Sequence, residues 1–274
     1  MQVAVLPGYM NRTTDTRPVV EAVCDTLRTL GAEVRLPAVD TPEACDALLR
    51  EADVALAFGG DGTMIHAAKH AARFDRPVLG VNCGHLGFMA GLEADELFRL
   101  PALMSGDYTV QTRMMLEVTL HSGEDSRTFY ALNEAVISRG SLSRMIGLSV
   151  LSDDRPVVTY RADGLILATP TGSTAYSLSA GGPIIDPSVN CLLLTPICPH
   201  SLHARSYIFG ADAALTVRPF GEEREMFLTV DGEEGVAVSP TDTITVRRSD
   251  RVARMIQIKP AAFYDVLNQK LMDR

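Results

Sequence analysis

The hydrophobic pattern of the chain changes once, near Gly106, and this change limits the folds that the chain can adopt. Before it, short apolar runs at 3–6, 53–58 and 77–81 alternate with segments whose apolar residues recur at helical spacing. Strands that alternate with helices in this way are typical of a parallel sheet with helices packed against it. The first part of the chain is therefore predicted to be a Rossmann-like α/β domain.

Strand periodicity dominates the sequence after Gly106. Leu116, Val118 and Leu120 alternate with polar residues, as in a strand with one buried face. Similar short strands are predicted at 146–150, 156–160, 215–217, 226–230 and 243–246. Short strands separated by turns favour a sandwich or curved sheets, so the second domain is predicted to be β-rich and sandwich-like. A final helix is predicted at 261–272.

Length and composition exclude several classes of protein. The 274 residues exceed what one core usually fills, which favours two domains, and 46% hydrophobic residues suit a soluble globular chain. The net charge of −9 argues against nucleic-acid binding, since phosphate backbones attract basic surfaces. The five cysteines form no Cys-x-x-Cys pair, no apolar run is long enough to span a membrane, and the first residues lack a secretion signal. We therefore expect a cytoplasmic protein with reduced thiols, no membrane contact and no nucleic-acid partner.

A glycine-rich loop, Gly59-Gly60-Asp61-Gly62-Thr63, follows the apolar strand at 53–58 and precedes a helical pattern. Glycines there let the backbone bend sharply and bring its amides close to an anion, and the start of the helix adds a partial positive charge. Asp61 repels phosphate, so it suits a base for an attacking hydroxyl or a partner of a phosphate-bound metal. A tight turn with a helix-capping aspartate explains this loop equally well when the loop is taken alone. The lack of a Walker sequence, and of Gly-x-Gly-x-x-Gly after the first strand, argues against a P-loop kinase and a Rossmann dehydrogenase.

Two further polar segments interrupt apolar sequence. Asn133 and Glu134 stand within Leu-Asn-Glu-Ala-Val, where an amide and a carboxylate together suit recognition of a hydroxyl, although an exposed strand end is the simpler interpretation. The run at 161–187 is dense in glycine, serine and threonine and is flanked by hydrophobic residues, which favours a ligand-binding loop over a surface loop. Within it, Tyr176 could stack on a base, and Asp163 could accept hydrogen bonds from an adenine amino group or a sugar.

The chain resembles bacterial and archaeal-type NAD kinases over essentially its whole length. Four blocks in the order and spacing of that family carry the resemblance. They are the glycine loop at 59–63, the second glycine block at 80–88, the Asn133-Glu134 pair, and Asp163-Gly164 followed by the run at 169–183. Four blocks in order are far more specific than any single five-residue match.

The resemblance implies an ATP-dependent kinase that phosphorylates the 2′-hydroxyl of the adenosine ribose of NAD to make NADP. It implies Asp61 as the general base and a phosphate cradle made by Gly59, Gly60, Gly62 and Thr63. It implies NAD contacts in both domains, at Asp61, Gly62, Asn133, Glu134, Arg144, Arg161, Asp163, Thr174, Ala175, Tyr176, Ser179 and Glu233. A divalent metal, usually Mg²⁺, accompanies ATP in this family, with no protein side chain assigned to it here, and the members are usually homodimers or homotetramers.

The resemblance also implies how the domains are built. The family pairs an α/β domain with a β-rich domain, and its C-terminal helix packs back on the first. We accordingly place the α/β domain at 1–106 together with 259–274, and the NAD-binding β-rich domain at 107–258.

Three positions depart from the family pattern. Glu233 stands where glutamine is frequent, Cys83 stands where threonine is common, and Arg205 is followed by serine where the family often has Arg-Pro. Glu233 adds a negative charge at a position where the family contacts NAD. None of the three changes touches Asp61 or the run at 169–183.

Two other functions compete with this prediction. Lipid kinases of the diacylglycerol type share a similar glycine loop, but the run at 169–183 does not fit them, and an acidic chain suits anionic membranes poorly. A non-catalytic NAD-binding sensor could keep the same pocket. The retained Asp61 argues against a sensor, because a pure binder gains nothing from a carboxylate beside phosphate.

Overall fold

A computed structural model of the chain describes residues 1–6, 15–39, 41–84, 87–140, 144–201, 203–221, 225–259 and 263–272. The structure divides into two compact units, Met1–Thr112 with Arg251–Arg274, and Arg113–Asp250. The domain bounds expected from the sequence stay a prediction, because compactness alone does not show which segments fold together. Within the described ranges, no helix has both the length and the apolar character needed to cross a membrane.

The first unit alternates strands and helices along the chain. Its elements are β1 (Gln2–Leu6), α1 (Arg17–Thr29), β2 (Glu33–Arg35), α2 (Pro42–Glu51), β3 (Val54–Gly59), α3 (Asp61–Ala72), β4 (Pro77–Asn82), β5 (Leu92–Glu93) and α4 (Leu100–Ser105), with a 3₁₀ turn at Leu97–Arg99. The strands pair in parallel in the order β5-β4-β3-β1-β2. The predicted Rossmann-like α/β arrangement is confirmed.

The central strands of the first unit, β1, β3 and β4, are buried on both faces. Every residue of β3 is buried, and β1 and β4 are buried over nearly their whole lengths. Val23 and Leu27 on the inner face of α1 belong to the same core cluster as Phe58 of β3. Parallel strands covered by helices are continuous apolar runs rather than alternating ones, which is why such runs predict them correctly.

A side-chain cap begins α2, as the sequence Thr41-Pro42-Glu43 predicts. Thr41 has an extended conformation, and its hydroxyl oxygen accepts a hydrogen bond from the amide N–H of Ala44 at 3.3 Å. Replacing Thr41 with alanine should remove this bond and lower the free energy of unfolding by about 1 kcal/mol. Thermal unfolding followed by circular dichroism measures the loss, with Thr41→Ser as the control that keeps the hydroxyl. An unchanged Tm for Thr41→Ala would contradict a stabilising cap.

The second unit is built mostly from strands. Its elements, of which the first and last extend into the first unit along the chain, are β6 (Thr109–Ser122), β7 (Asp125–Ala131), β8 (Glu134–Arg139), β9 (Ile146–Ser152), β10 (Arg155–Ala162), β11 (Gly164–Ala168), α5 (Tyr176–Ser179), β12 (Cys191–Ile197), β13 (Tyr207–Gly210), β14 (Leu215–Phe220), β15 (Met226–Val230), β16 (Val236–Val238) and β17 (Thr243–Gln257). A 3₁₀ turn at Thr171–Thr174 precedes α5. The short strands predicted in this part of the chain are all present.

Two sheets face each other inside the second unit. In one, β10, β9, β14 and β17 are antiparallel neighbours in that order, and β6 pairs with β17 and with β7. The other is antiparallel throughout, in the order β13-β12-β11-β8-β15-β16. One core cluster contains residues of both sheets, among them Leu116, Leu148 and Val217 from the first and Ile137, Leu165 and Leu228 from the second. The predicted sandwich-like β domain is confirmed.

The end of the chain completes the first unit. The last part of β17 pairs in parallel with β4, and α6 (Phe263–Met272) follows it. The ring of Phe263 lies 6.0 Å from that of Phe88, centre to centre. The predicted packing of the C-terminal helix on the α/β part is therefore confirmed, although residues 261 and 262, where that helix was predicted to begin, lie outside the described residues.

Candidate active site

The glycine loop at 59–63 joins β3 directly to α3. Gly59 has a φ of +149°, and a Cβ there would lie 2.6 Å from Oγ1 of Thr63, so a larger residue does not fit. Gly60 and Gly62 differ, because no described atom lies within 4 Å of the Cβ positions that they would have. Gly60 caps α3, and the first amide N–H groups of a helix have no partner inside it. The loop therefore combines backbone donors with open space, which suits an anion.

Asp61 is the first residue of α3, and its carboxylate is held by the backbone that follows β4. Oδ1 accepts hydrogen bonds from the amide N–H groups of Phe88 at 2.9 Å and of Met89 at 3.3 Å. Gly87 lies so close that a Cβ there would collide with Oδ1. The side chain of Asp61 is nevertheless 32% exposed. The carboxylate is thus fixed in place and still reachable, as a proton acceptor at an active site must be.

Lys270 of α6 is a third partner of Asp61. Its ammonium group lies 3.2 Å from Oδ2 of Asp61 and 4.2 Å from the centre of the Phe88 ring. A cation over the face of an aromatic ring is attracted by it, so Phe88 helps to place the ammonium group while its amide binds Asp61. The final helix therefore supplies a positive charge beside the glycine loop.

The second glycine block follows β4. Asn82 is 2% exposed, its Nδ2 donates to Glu93 at 2.7 Å, and its Oδ1 accepts the amide N–H of Gly84 at 3.2 Å. These two bonds fix the turn that leaves β4. Burial raises the pKa of the Cys83 thiol, which therefore stays protonated at neutral pH. Residues 85 and 86 of this block lie outside the described residues.

Asn133 and Glu134, at the start of β8 in the second unit, are held from two sides. Asp231 in the turn after β15 accepts their amide N–H groups at 2.8 and 3.0 Å. The amide N–H of Thr169 donates to the carbonyl of Asn133 at 2.8 Å. Gly172 packs so closely that a Cβ there would collide with the same carbonyl oxygen. The pair is therefore not a loose, exposed strand end, because segments distant in sequence fix its backbone.

The carboxyl group of Glu134 is buried. The residue is 8% exposed, and its carboxyl accepts the amide N–H of Tyr176. Its Oε2 has no hydrogen-bond partner among the described residues. Burial, and then the negative charge of Asp231, raise the pKa of Glu134 to about 8. Glu134 is therefore mainly a neutral acid at neutral pH and can donate a hydrogen bond to a ligand.

The loop from 171 to 179 turns some side chains inward and others outward. Ser173 and Ser177 are buried, and their hydroxyls bond to the carbonyl of Pro170 at 2.7 Å and to the hydroxyl of Thr195 at 2.9 Å. These inward hydroxyls stabilise the loop itself. The predicted ligand contacts in the loop are more accessible: Thr174 and Ala175 are half-buried, and Tyr176 and Ser179 are exposed.

The remaining predicted NAD contacts lie on strand ends and turns of the second unit. Asp163 forms an ion pair with Arg139, with 2.7 Å between Oδ1 and Nε, so a ligand that bonds to Asp163 must share it with that arginine. Arg144 and Arg161 are exposed. Glu233 is half-buried in the turn after β15. The assignment of these residues to NAD stays a prediction.

Three side chains with direct contacts to the predicted site residues were not expected from the sequence, those of Asp231, Arg139 and Lys270. The Asp-Gly sequence at 231–232 indicates a turn, and an aspartate directly after an apolar strand is the one signal that could have drawn attention to Asp231. Arg139 and Lys270 carry no such signal, because nothing in their neighbourhood along the chain separates them from other surface cations.

NAD kinases of known structure share this fold. An NAD kinase from Archaeoglobus fulgidus, solved in complex with ATP, matches with a TM-score of 0.80 at 25% identity and covers 100% of both chains. A yeast NADH kinase, solved in complex with NADH, has the same fold with a TM-score of 0.85 at 24% identity, over 99% of this chain and 87% of its own. The class that the fold defines is thus that of the NAD kinases.

Sequence comparisons narrow this class to one family. Residues 11–108 match the ATP-NAD kinase N-terminal domain, and residues 132–258 match the ATP-NAD kinase C-terminal domain. The NAD kinase of Symbiobacterium thermophilum is 48% identical over 223 residues, which are 81% of this chain and 79% of the relative. That of Caldanaerobacter subterraneus subsp. tengcongensis is 42% identical over 226 residues, 82% of this chain and 80% of the relative. The chain belongs to the ATP-NAD kinase family.

Proposed function

We propose that this protein transfers the γ-phosphoryl group of ATP to the 2′-hydroxyl of the adenosine ribose of NAD, and so makes NADP and ADP. Phosphorylation of NAD with ATP is the reaction for which its family is named. The observation that carries the proposal is Asp61, a fixed and accessible carboxylate at the glycine loop of a chain that matches both family domains.

Asp61 accepts the proton of the ribose hydroxyl while the hydroxyl oxygen attacks the γ-phosphorus. A new bond between oxygen and phosphorus forms, the bond from the γ-phosphorus to its bridging oxygen breaks, and ADP leaves with the electron pair. A secondary hydroxyl is a poor nucleophile, and a positioned base contributes roughly 10²–10⁴ in rate. The amides of Phe88 and Met89 supply the positioning by holding Oδ1.

The glycine loop binds the phosphates in this mechanism. The amide N–H groups at the start of α3 and the helix dipole stabilise negative charge on the transferred group. Gly60 and Gly62 leave room for phosphate oxygens to approach the backbone. Thr63 is buried, and its side chain fills the space beside Gly59. Thr63 therefore supports the conformation of the loop by packing against it.

A divalent ion fits this site as a companion of ATP. No three histidine, cysteine, aspartate or glutamate side chains cluster as metal ligands in the described part of the chain. Mg²⁺ at phosphoryl-transfer sites is usually held by one or two carboxylates and the substrate phosphates rather than by a protein cage. The amide of Phe88 and the ammonium group of Lys270 donate hydrogen bonds to Asp61 and occupy much of its carboxylate. The site therefore suits a metal ion that is already bound to the triphosphate when ATP enters. When bound, Mg²⁺ neutralises charge on the phosphates.

The NAD contacts implied for the second unit follow from the chemistry of the side chains. Asn133 and Glu134 offer an amide and a neutral acid on a fixed backbone, and both suit hydroxyls or ring nitrogens. Tyr176 has an exposed ring on which a base can stack. Arg144 and Arg161 are exposed cations and suit the pyrophosphate of NAD.

Oligomeric state and location belong to the same proposal. The edge strand β13 exposes the large apolar side chains of Tyr207 and Ile208, and an edge of this kind favours pairing with a second copy in a homodimer or homotetramer. The five cysteines are free thiols, which is typical of the reducing cytoplasm.

The lipid-kinase and sensor alternatives lose support. Both domains match NAD kinase domains rather than lipid kinase domains. A sensor has no use for a base, yet Asp61 is accessible and held in one orientation by the amides of Phe88 and Met89. NAD kinase is therefore the one function that we propose, and the lipid kinase and the sensor are set aside.

Lys270→Met is expected to lower kcat by less than about tenfold, since a partly exposed ion pair contributes on the order of 1 kcal/mol or less. The amides of Phe88 and Met89 still hold Oδ1 in the variant, so Asp61 keeps its position. Steady-state kinetics measure the effect. Lys259→Met is the matched control, because it removes an ion pair with Glu96 elsewhere in the same unit. A loss as large as that of an Asp61 variant would contradict an auxiliary role for Lys270.

The proposed function is tested with purified protein, ATP, Mg²⁺ and NAD, by measuring NADP with an NADP-specific dehydrogenase. Parallel reactions replace NAD with NADH or with a dispersion of diacylglycerol. We expect ATP-dependent formation of NADP and no phosphorylation of the lipid. Phosphorylation of the lipid alone, or tight binding of NAD without turnover, would contradict the proposal and favour the lipid kinase or the sensor.

A further inference from the structure

Asp231 occupies the turn between β15 and β16 in a left-handed conformation, with a φ of +49°. Glycine or asparagine would serve a plain turn of this kind at least as well. The amide N–H of Asp231 donates to the carbonyl of Glu134 at 3.0 Å, which any residue could do. The turn alone therefore does not explain a carboxylate at this position.

The carboxylate of Asp231 accepts three consecutive backbone N–H groups. Oδ2 accepts that of Leu132 at 2.8 Å, and Oδ1 accepts those of Asn133 at 2.8 Å and Glu134 at 3.0 Å. Hydrogen bonds to an ionised acceptor are roughly twice as strong as neutral ones. The hydroxyl of Thr169 donates to the carbonyl of Leu132 at 2.6 Å. One carboxylate thus sets the path of the backbone on which β8 begins.

The same carboxylate acts on Glu134 through its charge. The strands that pair with β8, namely β11 and β15, contain no ionisable side chain. The titratable groups on adjoining elements are Asp231, Glu233 and Glu234 in the turn and Tyr176 in α5, with Arg139 and its partner Asp163 at the far end of β8. Burial and then Asp231 raise the pKa of Glu134 to about 8, while the amide N–H of Tyr176 acts in the opposite direction. Glu134 therefore keeps its proton at neutral pH.

We propose that Asp231 is a positioning residue for NAD, because its carboxylate fixes the backbone that presents Asn133 and Glu134. Its negative charge also favours the protonated form of Glu134, which can donate a hydrogen bond. The inference rests on the proposed function, because it takes this pair to contact NAD. The buried Oε2 of Glu134, unpaired among the described residues, is the atom with a proton to offer to a ligand oxygen or ring nitrogen. Once ionised, Glu134 is a buried anion that repels such acceptors.

The variant Asp231→Asn tests both parts of the proposal. The asparagine oxygen can still accept from Asn133 and Glu134, but its NH₂ group faces the amide of Leu132 as donor against donor. KM for NAD and kcat are measured by NADP formation at pH values below and above 8. We expect KM to rise about tenfold with a much smaller change in kcat, because a buried donor is left without its acceptor.

The pH dependence separates positioning from a merely structural role. In the parent, KM for NAD should be constant below pH 8 and rise as Glu134 loses its proton above it. In Asp231→Asn, one cause of the raised pKa is gone, so the rise in KM should begin at a lower pH. Burial remains as a cause, and the shift is therefore partial.

A second variant, Glu134→Gln, tests the proposal if Asp231→Asn does not fold. Glu134→Gln is neutral at every pH and still has a donor, so it should bind NAD and lose the rise in KM at alkaline pH. Asp153→Asn is the matched control. Asp153 also has a left-handed conformation, with a φ of +48°, and accepts an amide N–H, that of Ala214 at 3.2 Å, but in the turn between β9 and β10. The KM for NAD of Asp153→Asn should equal that of the parent at every pH.

Three results would overturn the inference. The first is that Asp231→Asn has the same KM for NAD as the parent. The second is that Asp231→Asn raises KM by the same factor at every pH, so that the pH dependence of KM is not shifted. The third is an alkaline rise that persists in Glu134→Gln. A parent that forms no NADP at any pH would instead overturn the proposed function, so the two failures are distinguishable.

Discussion

Asp61→Asn is expected to lower kcat for NADP formation by roughly 10²–10⁴-fold, the usual contribution of a general base, and to leave the fold intact. The side-chain amide has the shape of the carboxylate, and its oxygen can still accept the N–H groups of Phe88 and Met89. It cannot take a proton from the attacking hydroxyl at neutral pH. KM for NAD and ATP should change far less than kcat, because most of the contacts assigned to the substrates are made by other groups.

The control for this variant is Asp25→Asn. Asp25 is an exposed aspartate of α1 that pairs with Arg28 at 3.2 Å, and its loss should leave kcat at the parent value. Circular dichroism and Tm establish that Asp61→Asn is folded before its kinetics are measured. A kcat for folded Asp61→Asn within a few fold of the parent would show that Asp61 is not the base.

Gly172→Ala is expected to lower the free energy of unfolding by about 1–3 kcal/mol, as overpacking in a closed core usually does. A Cβ at this position would collide with the carbonyl oxygen of Asn133 and lie 2.5 Å from its carbon and 2.8 Å from its Cα. These are backbone atoms, and Asp231 and Thr169 bond to the same residue, so they cannot rotate away. The displaced Asn133 should also raise KM for NAD.

Urea unfolding followed by circular dichroism measures this stability, since the chain has no tryptophan for fluorescence. Gly210→Ala is the matched control in the same unit, because no described atom lies within 4 Å of its Cβ position. If Gly172→Ala were as stable as the parent, with an unchanged KM for NAD, the close packing of the 3₁₀ turn against Asn133 would be wrong.

The parts of the fold that the sequence predicts correctly depend on local signals. The strand β3 is a run of six buried residues, and a helix begins two residues after it at Asp61. The apolar run and the glycines that follow it are adjacent in the chain, so the strand, the turn and the start of α3 can be predicted together. Six strands of the second unit, β6, β9, β10, β14, β15 and β17, are likewise predicted from their own alternation and turn residues.

The contacts that define the site could not be predicted in the same way. Asp231 and Glu134 are 97 residues apart, and Lys270 and Asp61 are 209 apart. Each contact depends on which strands and helices become neighbours, and a single sequence does not carry that information. The ion pair between Asp163 and Arg139 could not be predicted for the same reason. The sequence suggests that Asp163 contacts a ligand, but it does not show that an arginine bonds to this carboxylate.

Glu134 is the clearest example of a site residue whose environment the sequence does not predict. A glutamate beside an asparagine at a strand end is most simply interpreted as an exposed polar residue. In the structure it is buried, because the start of β8 is enclosed by the turn after β15 and by the loop that leads to α5. The same enclosure raises the pKa of Glu134 to about 8 and turns an ordinary carboxylate into a hydrogen-bond donor.

The central claim is that the γ-phosphoryl group of ATP moves to the 2′-hydroxyl of NAD, with Asp61 as the base. The most direct test is to follow ATP and NAD by ³¹P nuclear magnetic resonance in one reaction with the parent and one with Asp61→Asn. We predict that the parent produces ADP and a 2′-phosphomonoester of NAD in equal amounts, while the variant produces almost none of either. Release of ADP and inorganic phosphate without a phosphorylated dinucleotide, or a phosphoryl group on another hydroxyl, would contradict the claim.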